Sequence, residues 1–172
     1  NIICKDKSKI DWNKAKNKMR FWLKNSQYCI SREWQYKDTP RNRICEQFLK
    51  YDITDYKFFC FNGEVKALFI AGDRHKDEET KFDFFDADFN HLDIRNGHPN
   101  ANTPPAKPHS FEKMKEMAGH LSQNIPHLRV DFYEANGKIY FGELTFYPWS
   151  GYVKFSPQEF DYQLGALMTY MK

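Results

Sequence analysis

The sequence predicts an α+β protein with a mostly antiparallel sheet and helices packed on one face of it. Three observations indicate this class: clustered strand-like segments, two Asn-Gly turn signals and three segments with helical spacing of apolar residues. The 172 residues suit one compact domain or two small lobes, and an aromatic content of 17% provides material for a core. No apolar run approaches the ~20 residues that cross a bilayer, so we expect no transmembrane segment.

The charge and the cysteines argue against several function classes. A net charge of +3 suits a small anionic ligand but is far from that of a dedicated nucleic-acid binder. Acidic residues lie among the basic ones, so we expect no nucleic-acid partner. No two cysteines form a C-x-x-C pair, which argues against a zinc knuckle. We expect reduced, mostly buried thiols in a cytoplasmic protein at Cys4, Cys29, Cys45 and Cys60.

The first fifty residues contain one clear helical pattern, in "DWNKAKNKMRFWLKN", with Asp11 as its N-cap. "NIIC" reads as the end of a strand. Because the chain opens on Asn1, we expect it to be the C-terminal part of a longer protein. "YCISREWQYKDTPRN" is predicted to be irregular, since Pro40 disfavours a helix. "RICEQFL" predicts a short strand that contains Glu46.

Strands and a long loop are predicted next. "YKFFCF" and "EVKALFIAG" flank Asn62-Gly63, a strong hairpin signal because both residues tolerate positive φ. "KFDFFDADFN" predicts a further strand. Residues 96–109, "NGHPNANTPPAKPH", contain four prolines and little apolar surface, so they predict a surface loop.

Two further helices follow from capping signals. Ser110 precedes an apolar stripe at helical spacing and predicts an N-cap. The last helix is predicted to begin at Ser156-Pro157, with Glu159 completing a capping box.

The segment "RVDFYEANGKIYFGELTFYPWSG", residues 129–151, predicts a second hairpin whose register decides its chemistry. A two-residue loop at Asn136-Gly137 would place Asp131 and Glu143 on opposite faces. A three-residue loop that starts at Ala135, with a bulge at Gly137, separates polar from apolar side chains, and we therefore predict it. Its polar face holds Arg129, Asp131, Tyr133, Glu143 and Thr145. Its apolar face holds Leu128, Val130, Phe132, Tyr140, Leu144 and Phe146.

Two carboxylates and one cation on one face have two interpretations. One is a solvated face with an Arg–Glu cross-strand pair, contributing about 0.2–1 kcal/mol. The other is a magnesium site, in which Asp131 and Glu143 bind the ion and Arg129 neutralises a transferring phosphoryl group. The second interpretation fails if the two carboxylates lie on opposite faces of the sheet, or if internal basic partners cap them and no cleft lies beside them.

The same segment resembles the last block of ATP-grasp enzymes, in particular the D-alanine–D-alanine ligase pattern of Arg-x-Asp, a hairpin, Glu-x-Asn and a Pro-Gly loop. With "DYKFFCFNG" and "EFDYQLG", nearly the whole chain is more similar still to the TupA-like ATP-grasp family of teichuronopeptide and capsular-polysaccharide biosynthesis. The resemblance implies an ATP-grasp fold. Residues 1–49 would be the remainder of the smaller subdomain, ending in the adenine hinge strand, and residues 50–172 the C-terminal subdomain with the metal and phosphate site.

The resemblance also implies roles for individual residues, with ATP and Mg²⁺ as cofactors. Magnesium would be held by Asp131, Glu143 and, in place of the usual asparagine, Thr145. The catalytic contact to the phosphates would be Arg129. The nucleotide would be bound by Glu46, Gln47, Leu49, Asp55, Lys57 and Arg74. The loop that approaches the acceptor would contain Ser150 and Gly151.

Several of these residues have structural explanations as well. Lys57 and Arg74 may be read as solvated basic side chains, and Glu46 as a charge at a strand edge. For Tyr147 and Trp149, aromatic packing beneath a loop is favoured over the lining of a sugar or acceptor pocket. The glycine-rich phosphate loop of the wider superfamily has no counterpart here, which fits an origin upstream of Asn1.

The function implied is an ATP- and magnesium-dependent carboxylate–amine ligase that acts through an acyl phosphate in cell-surface polysaccharide biosynthesis. Its partners would be a small-molecule or glycan carboxylate and an amine acceptor. Two alternatives stay open: a sugar kinase on the same fold, and a non-catalytic module of a polysaccharide-assembly complex. The sequence names neither substrate and does not indicate the oligomeric state.

Overall fold

The structure, a computed structural model, describes residues 2–49, 53–72 and 79–168. Contacts within the chain divide it into two compact units, Asn1–Tyr51 and Asp52–Lys172. The first unit is helical, and the second contains the sheet on which most of the predicted site residues lie.

In the first unit, the predicted helix is confirmed as α1, Trp12–Lys24. The Asp11 carboxylate accepts a hydrogen bond from the Lys14 backbone N–H at 2.9 Å, which satisfies one of the helix's unpaired donors. At the other end, Arg41 donates from Nη1 to the carbonyls of Leu23 and Lys24, each at 3.0 Å. Both ends of α1 are therefore capped by side chains.

The rest of the first unit differs from the predictions. A five-residue helix α2, Gln27–Ser31, and a 3-10 turn, Trp34–Tyr36, occupy the segment predicted to be irregular. Pro40 restricts only its own neighbourhood, and both helical turns end before it. The strands predicted at "NIIC" and at "RICEQFL" are wrong, because residues 2–4 and 40–49 have no regular structure. A strand needs a hydrogen-bonded neighbour, and the described residues of this unit include no other strand.

The second unit is built on a six-stranded sheet in the order β4-β3-β2-β1-β6-β7. Every neighbouring pair is antiparallel, as predicted. Its strands are β1 Thr54–Phe61, β2 Glu64–Gly72, β3 Lys81–Asp86, β4 His91–Leu92, β6 Leu128–Ala135 and β7 Lys138–Thr145. A separate ribbon pairs β5, Arg95–Asn96, with β8, Phe155–Ser156. The sheet order places β6 beside β1, with β2 and β1 as the two central strands and β7 at one edge.

The first hairpin and the proline-rich loop agree with the sequence. Asn62 (φ 50°) and Gly63 (φ 90°) form the turn between β1 and β2. Strand β3 begins at Lys81, within the predicted segment. Residues 97–109 contain neither helix nor strand, although Asn96, predicted as the start of the loop, pairs in β5.

The two helices of the second unit follow their predicted positions but not their predicted caps. Helix α3, Phe111–Leu121, follows Ser110, whose hydroxyl donates instead to Glu134 Oε1 at 3.0 Å. Helix α4, Glu159–Ala166, starts later than predicted and forms no capping box, because Ser156 pairs with Arg95 in the ribbon. None of the helices in the described part of the chain is long and apolar enough to cross a membrane.

The sheet is covered on both faces, whereas the sequence predicted helices on one. Neighbouring residues of β1 separate the two sides: Phe58 belongs to the apolar layer beneath α3, and Phe59 to the layer that contacts α4. Both rings are almost fully buried. Because β1 is apolar on both sides apart from its charged residues, each face needs a covering helix.

The prediction of mostly buried cysteines is wrong. Cys60, in the middle of β1, is buried, and burial raises the pKa of its thiol to about 12. Cys29 and Cys45 are exposed and Cys4 is half-buried, since all three lie in the helical unit outside the sheet. All four thiols are free, as predicted.

Candidate nucleotide and metal site

The turn of the second hairpin is the two-residue loop, so the predicted three-residue loop is wrong. Ala135 pairs with Lys138. Asn136 (φ 52°) and Gly137 (φ 67°) both take positive φ, as a tight turn between strands of right-handed twist requires. The conformational preference of Asn136-Gly137 therefore sets the turn, as that of Asn62-Gly63 does in the first hairpin.

A bulge farther along the hairpin restores the polar face that the sequence predicted. Phe132 pairs with Phe141 but Val130 pairs with Leu144, so that Asp131 lies opposite both Gly142 and Glu143. The extra residue moves everything after it in β7 to the other face. Arg129, Asp131, Glu143 and Thr145 consequently share one face, although the bulge is in mid-strand and not at the turn.

Gly142 is required by this bulge. A Cβ atom at this position would lie 3.0 Å from both the Asp131 carbonyl oxygen and Tyr133 Cε2. The two-residue turn places Tyr140 opposite Tyr133 on the polar face, so its predicted place on the apolar face is wrong. Phe141 takes the apolar side instead, with its ring 6.4 Å from that of Phe132.

Lys57 is surrounded by two carboxylates at the centre of the sheet. It lies directly opposite Asp131 in the β1–β6 pairing, and its Nζ donates a hydrogen bond to Asp131 Oδ2. The same Nζ lies 2.9 Å from Oδ2 of Asp55, two residues earlier on the same face of β1. The side chains of Lys57, Asp55 and Asp131 are only 6%, 1% and 0% exposed.

Arg129 joins this buried pair to the exposed strand β7. Its Nε donates to Asp131 Oδ1 at 2.8 Å and its Nη2 to Asp131 Oδ2 at 2.9 Å, a bidentate arrangement. The same Nη2 donates to Glu143 Oε1 and to Thr145 Oγ1, both at 2.9 Å. The Thr145 hydroxyl donates in turn to Glu143 Oε1 at 3.2 Å. We call Asp55, Lys57, Arg129, Asp131, Glu143 and Thr145 the charged array.

The charged array changes from buried to exposed along its length. Asp131 is fully buried, whereas the Glu143 side chain is 61% exposed. Two cations face three carboxylates, so the formal charges +2 and −3 leave a net charge of −1. Buried charges are tolerated only when they are paired and hydrogen-bonded, so the members of the array depend on one another.

The magnesium ligands predicted from the sequence fit this geometry unequally. Mg²⁺ takes one or two carboxylates and completes its shell with phosphate oxygens and water. Glu143 and Thr145 suit that role, since they are adjacent and lie at the open end of the array. Both oxygens of Asp131 are engaged by Lys57 and Arg129. Within the described residues, no three acidic, histidine or cysteine side chains form a metal-binding group.

His127 lies on the same face, two residues before Arg129, and the sequence analysis missed it. Its ring is 5.0 Å from that of Phe61, and it is hydrogen-bonded to the backbone of Phe146. Burial lowers the pKa of His127, and the charge of Arg129 acts in the same direction. Residues two apart on a strand point to the same face, so extending the strand back from Arg129 by two residues would have identified His127.

The loop after β7 contains the predicted acceptor residues in an unusual conformation. A 3-10 turn covers Pro148–Gly151, within which Trp149 (φ 52°) and Ser150 (φ 54°) take left-handed backbone angles, as does Gly151 (φ 76°). Non-glycine residues rarely adopt these angles. Ser150 is half-buried, and Trp149 is 49% exposed.

The remaining predicted nucleotide residues lie elsewhere. Glu46 and Gln47 are exposed and Leu49 is half-buried, all in the first unit and in a segment without regular structure. Arg74 lies outside the described residues. The structure therefore brings together the residues predicted at the phosphates and the metal, and holds the predicted adenine residues in a different unit.

An open depression of about 540 Å³ lies on the opposite side of the sheet, between the first hairpin turn and α3. Gly63, Lys115 and Gly119 are among its lining residues. None of the predicted site residues lines it. The chemistry-bearing side chains are thus separate from this depression.

Comparison with protein families supports the resemblance carried by the hairpin motif. Residues 1–169 match the family described as TupA-like ATPgrasp. Neither the curated proteins nor the solved structures that were compared gave a match. The family match covers nearly the whole chain, including both hairpins and α4. This chain therefore belongs to the TupA-like ATP-grasp family.

Proposed function

We propose that this chain is the nucleotide-binding part of an ATP- and magnesium-dependent carboxylate–amine ligase that works in cell-surface polysaccharide biosynthesis. The observation that carries the proposal is the charged array, in which a lysine and an arginine are held between carboxylates on the neighbouring strands β1, β6 and β7. A family match over residues 1–169 supplies the ATP-grasp context. ATP as substrate also makes the cytoplasm the expected location.

Lys57 and Arg129 are proposed to bind the phosphates of ATP. Both cations have their positions set by buried acids, so little conformational entropy is lost when phosphate oxygens arrive. Asp55 holds Lys57 from the other side. The planar guanidinium of Arg129 suits two phosphoryl oxygens at once, and we assign it the catalytic contact to the transferring group.

Glu143 and Thr145 are proposed to hold Mg²⁺ at the exposed end of the array. Asp131 is the second carboxylate of the proposal, and it becomes available only when phosphate oxygens compete for Lys57 and Arg129. The bound ion would supply charge neutralisation for the phosphates. The net charge of −1 on the array favours a divalent cation once the two basic groups face phosphate.

The other predicted contacts complete the proposed site. The adenine base is assigned to the backbone around Glu46, Gln47 and Leu49, and a further phosphate contact to Arg74. Ser150 and Gly151 are assigned to the acceptor. In the proposed reaction, a substrate carboxylate attacks the γ-phosphorus of ATP and ADP leaves, forming an acyl phosphate. An amine then attacks the acyl carbon, phosphate leaves with the bonding electron pair, and the amine loses a proton.

One observation favours a second candidate, a non-catalytic ATP-grasp module of a polysaccharide-assembly complex. Asp131 is fully buried and capped by Lys57 and Arg129, which is the arrangement expected of a structural ion-pair network. If that arrangement persists in the presence of Mg·ATP, Glu143 is left as the single available carboxylate.

ADP release separates the two candidates. The full protein is assayed with Mg·ATP against uronic acids crossed with amino acids and amino sugars, and the products are identified by mass spectrometry. A ligase gives ADP and an amide only when both a carboxylate and an amine are present. Phosphorylated sugar without an amine requirement would identify a kinase instead.

The matched variants are Glu143→Gln and Glu64→Gln, since both glutamates are exposed and each is paired with a basic side chain. Only Glu143→Gln should abolish turnover. No Mg·ATP binding by calorimetry, or equal turnover in both variants, would contradict the ligase proposal.

A further inference from the structure

The loop Pro148–Gly151 holds Trp149 in a conformation that its own sequence does not favour. Trp149 and Ser150 both have left-handed φ values, 52° and 54°. Each such non-glycine residue is strained and persists only where the surrounding structure holds it in that conformation. Left-handed strain of this kind concentrates at ligand-binding sites, so the question is what the conformation presents.

It presents an aromatic platform. The Trp149 indole stacks over the ring of Phe82 in β3, with 6.4 Å between centroids and 30° between planes. The imidazole of His98, from the proline-rich loop, lies 4.3 Å from Phe82 and 6.4 Å from Trp149. Phe82 is buried beneath the group, whereas Trp149 keeps about half of its surface in solvent.

Two polar atoms beside this platform are buried without a partner in the described part of the chain. They are His98 Nδ1 and Asn100 Oδ1. Asn100 is tied to the platform, since its Nδ2 donates to the carbonyls of Phe82 at 3.2 Å and Ile94 at 3.1 Å. A buried polar atom left unpaired is destabilising, so a ligand or water that pairs with it is favoured.

The platform lies on the same face of the sheet as the charged array. Phe82 pairs with Ala71, and Ala71 with Asp55, so one row of the sheet runs from Phe82 to the array. Two strand spacings correspond to about 10 Å. A ligand of two to three ring diameters is therefore long enough to contact both.

We propose that Trp149, Phe82, His98 and Asn100 form a subsite for a saccharide ring. The apolar face of a pyranose packs on an aromatic ring, and its hydroxyls both donate and accept hydrogen bonds. A hydroxyl can satisfy His98 Nδ1 in either tautomer as well as the acceptor Asn100 Oδ1. The subsite would hold the sugar ring of the carboxylate substrate, and in that respect the inference rests on the proposed function.

Saccharide binding is tested on the full chain without nucleotide. Saturation-transfer NMR is run with methyl β-D-glucopyranoside and with D-glucuronate, and adenosine serves as an aromatic probe. We expect transfer to the pyranose ring protons, and Trp149→Ala should weaken binding by about tenfold or more. Trp34→Ala is the matched control, since Trp34 is exposed in the first unit and should change binding by less than about twofold.

A second variant keeps the test decisive if Trp149→Ala unfolds. His98→Phe retains a ring against Phe82 but removes Nδ1, so it should weaken saccharide binding while the melting temperature stays close to that of the parent protein. No saccharide binding, binding of adenosine alone, or equal binding in Trp149→Ala and Trp34→Ala would overturn the subsite. Because no ATP is present, these outcomes are independent of ADP release, which tests the ligase itself.

Discussion

Lys57 and Asp131 lie directly opposite each other on the neighbouring strands β1 and β6 and form an ion pair that is almost completely buried. They are 74 residues apart in the sequence. Arg129 binds the same carboxylate from the side, so one aspartate holds two cations in place.

Lys57→Met should destabilise the second unit by about 3–5 kcal/mol, because it leaves Asp55 and Asp131 buried with less cationic compensation. Urea denaturation measures the free energy of unfolding. Lys66→Met is the control: Lys66 is also on a strand and paired with a glutamate, but in solvent, and should lose no more than about 1 kcal/mol. Similar losses of unfolding free energy in both variants would show that the buried ion pairs of Lys57 stabilise the fold no more than an exposed pair does.

Asp131→Asn and Glu143→Gln should separate stability from turnover. Asp131→Asn leaves two cations near a neutral amide in a buried site and should cost about 3 kcal/mol or more. Glu143→Gln changes an exposed side chain and should cost less than about 1 kcal/mol. Both should lose ADP release under the proposed function. Equal and small stability losses would contradict the buried network.

Arg129→Lys should keep nucleotide binding but lower the rate of ADP release by about a hundredfold, since one ammonium cannot reproduce four directed hydrogen bonds. Calorimetry with Mg·ATP and a coupled ADP assay give the two quantities separately. Arg20→Lys, on the surface of α1, is the control. An unchanged rate in Arg129→Lys would remove this residue from the chemistry.

Gly142→Ala should destabilise the hairpin by about 1–3 kcal/mol, because the added methyl group would lie 3.0 Å from the Asp131 carbonyl. Gly165→Ala, in α4, meets no atom within 4 Å and should be neutral or stabilising by up to about 1 kcal/mol. Thermal denaturation followed by circular dichroism measures both. A neutral Gly142→Ala variant would mean that the bulge does not depend on glycine.

His127 should make stability fall as the pH is lowered through the ordinary histidine range. The pKa of His127 in the folded chain lies below the ordinary histidine value of about 6.5, chiefly because the side chain is buried, so the unfolded chain binds the proton more readily. The contribution of His127 to the free energy of unfolding is fully present above pH about 6.5. It is lost as the pH falls from there toward the pKa of His127 in the folded chain. Denaturation at pH 7.5 and about pH 5.5 should show a smaller loss in His127→Gln than in the parent protein.

The control for this pH dependence is His120→Gln, because the His120 side chain is 68% exposed. It should retain the loss seen in the parent protein. An identical pH dependence in His127→Gln and the parent protein would show that His127 takes up no proton differentially on unfolding.

Local chemistry explains which predictions held. Asn62-Gly63 was predicted as a tight turn because both residues tolerate positive φ, and that property acts without help from the rest of the fold. Asp11 was recognised as an N-cap for the same reason, since its partner Lys14 is three residues away. Helix α3 follows from the spacing of its own apolar residues.

Predictions failed where a residue's local structure depends on a partner that is distant in the sequence. Ser156 has the pattern of a capping box but pairs with Arg95, some sixty residues earlier in the chain, and that strand pairing prevents the cap. "RICEQFL" has strand-like composition, yet no described strand of its unit lies beside it. Ala135 was placed in a three-residue loop to align polar side chains, whereas the alignment comes from a bulge at Gly142.

By itself, the sequence determined the α+β class, the positions of the two hairpins, the main helices and membership of an ATP-grasp family, because each depends on short-range patterns or on a motif contained in one hairpin. Only the tertiary structure decided that Lys57 caps Asp131, that Gly142 carries the bulge and that Trp149 stacks on Phe82. These contacts join strands and loops far apart in the chain, and their register is set by how the two apolar layers pack. No local pattern of residues encodes such a register.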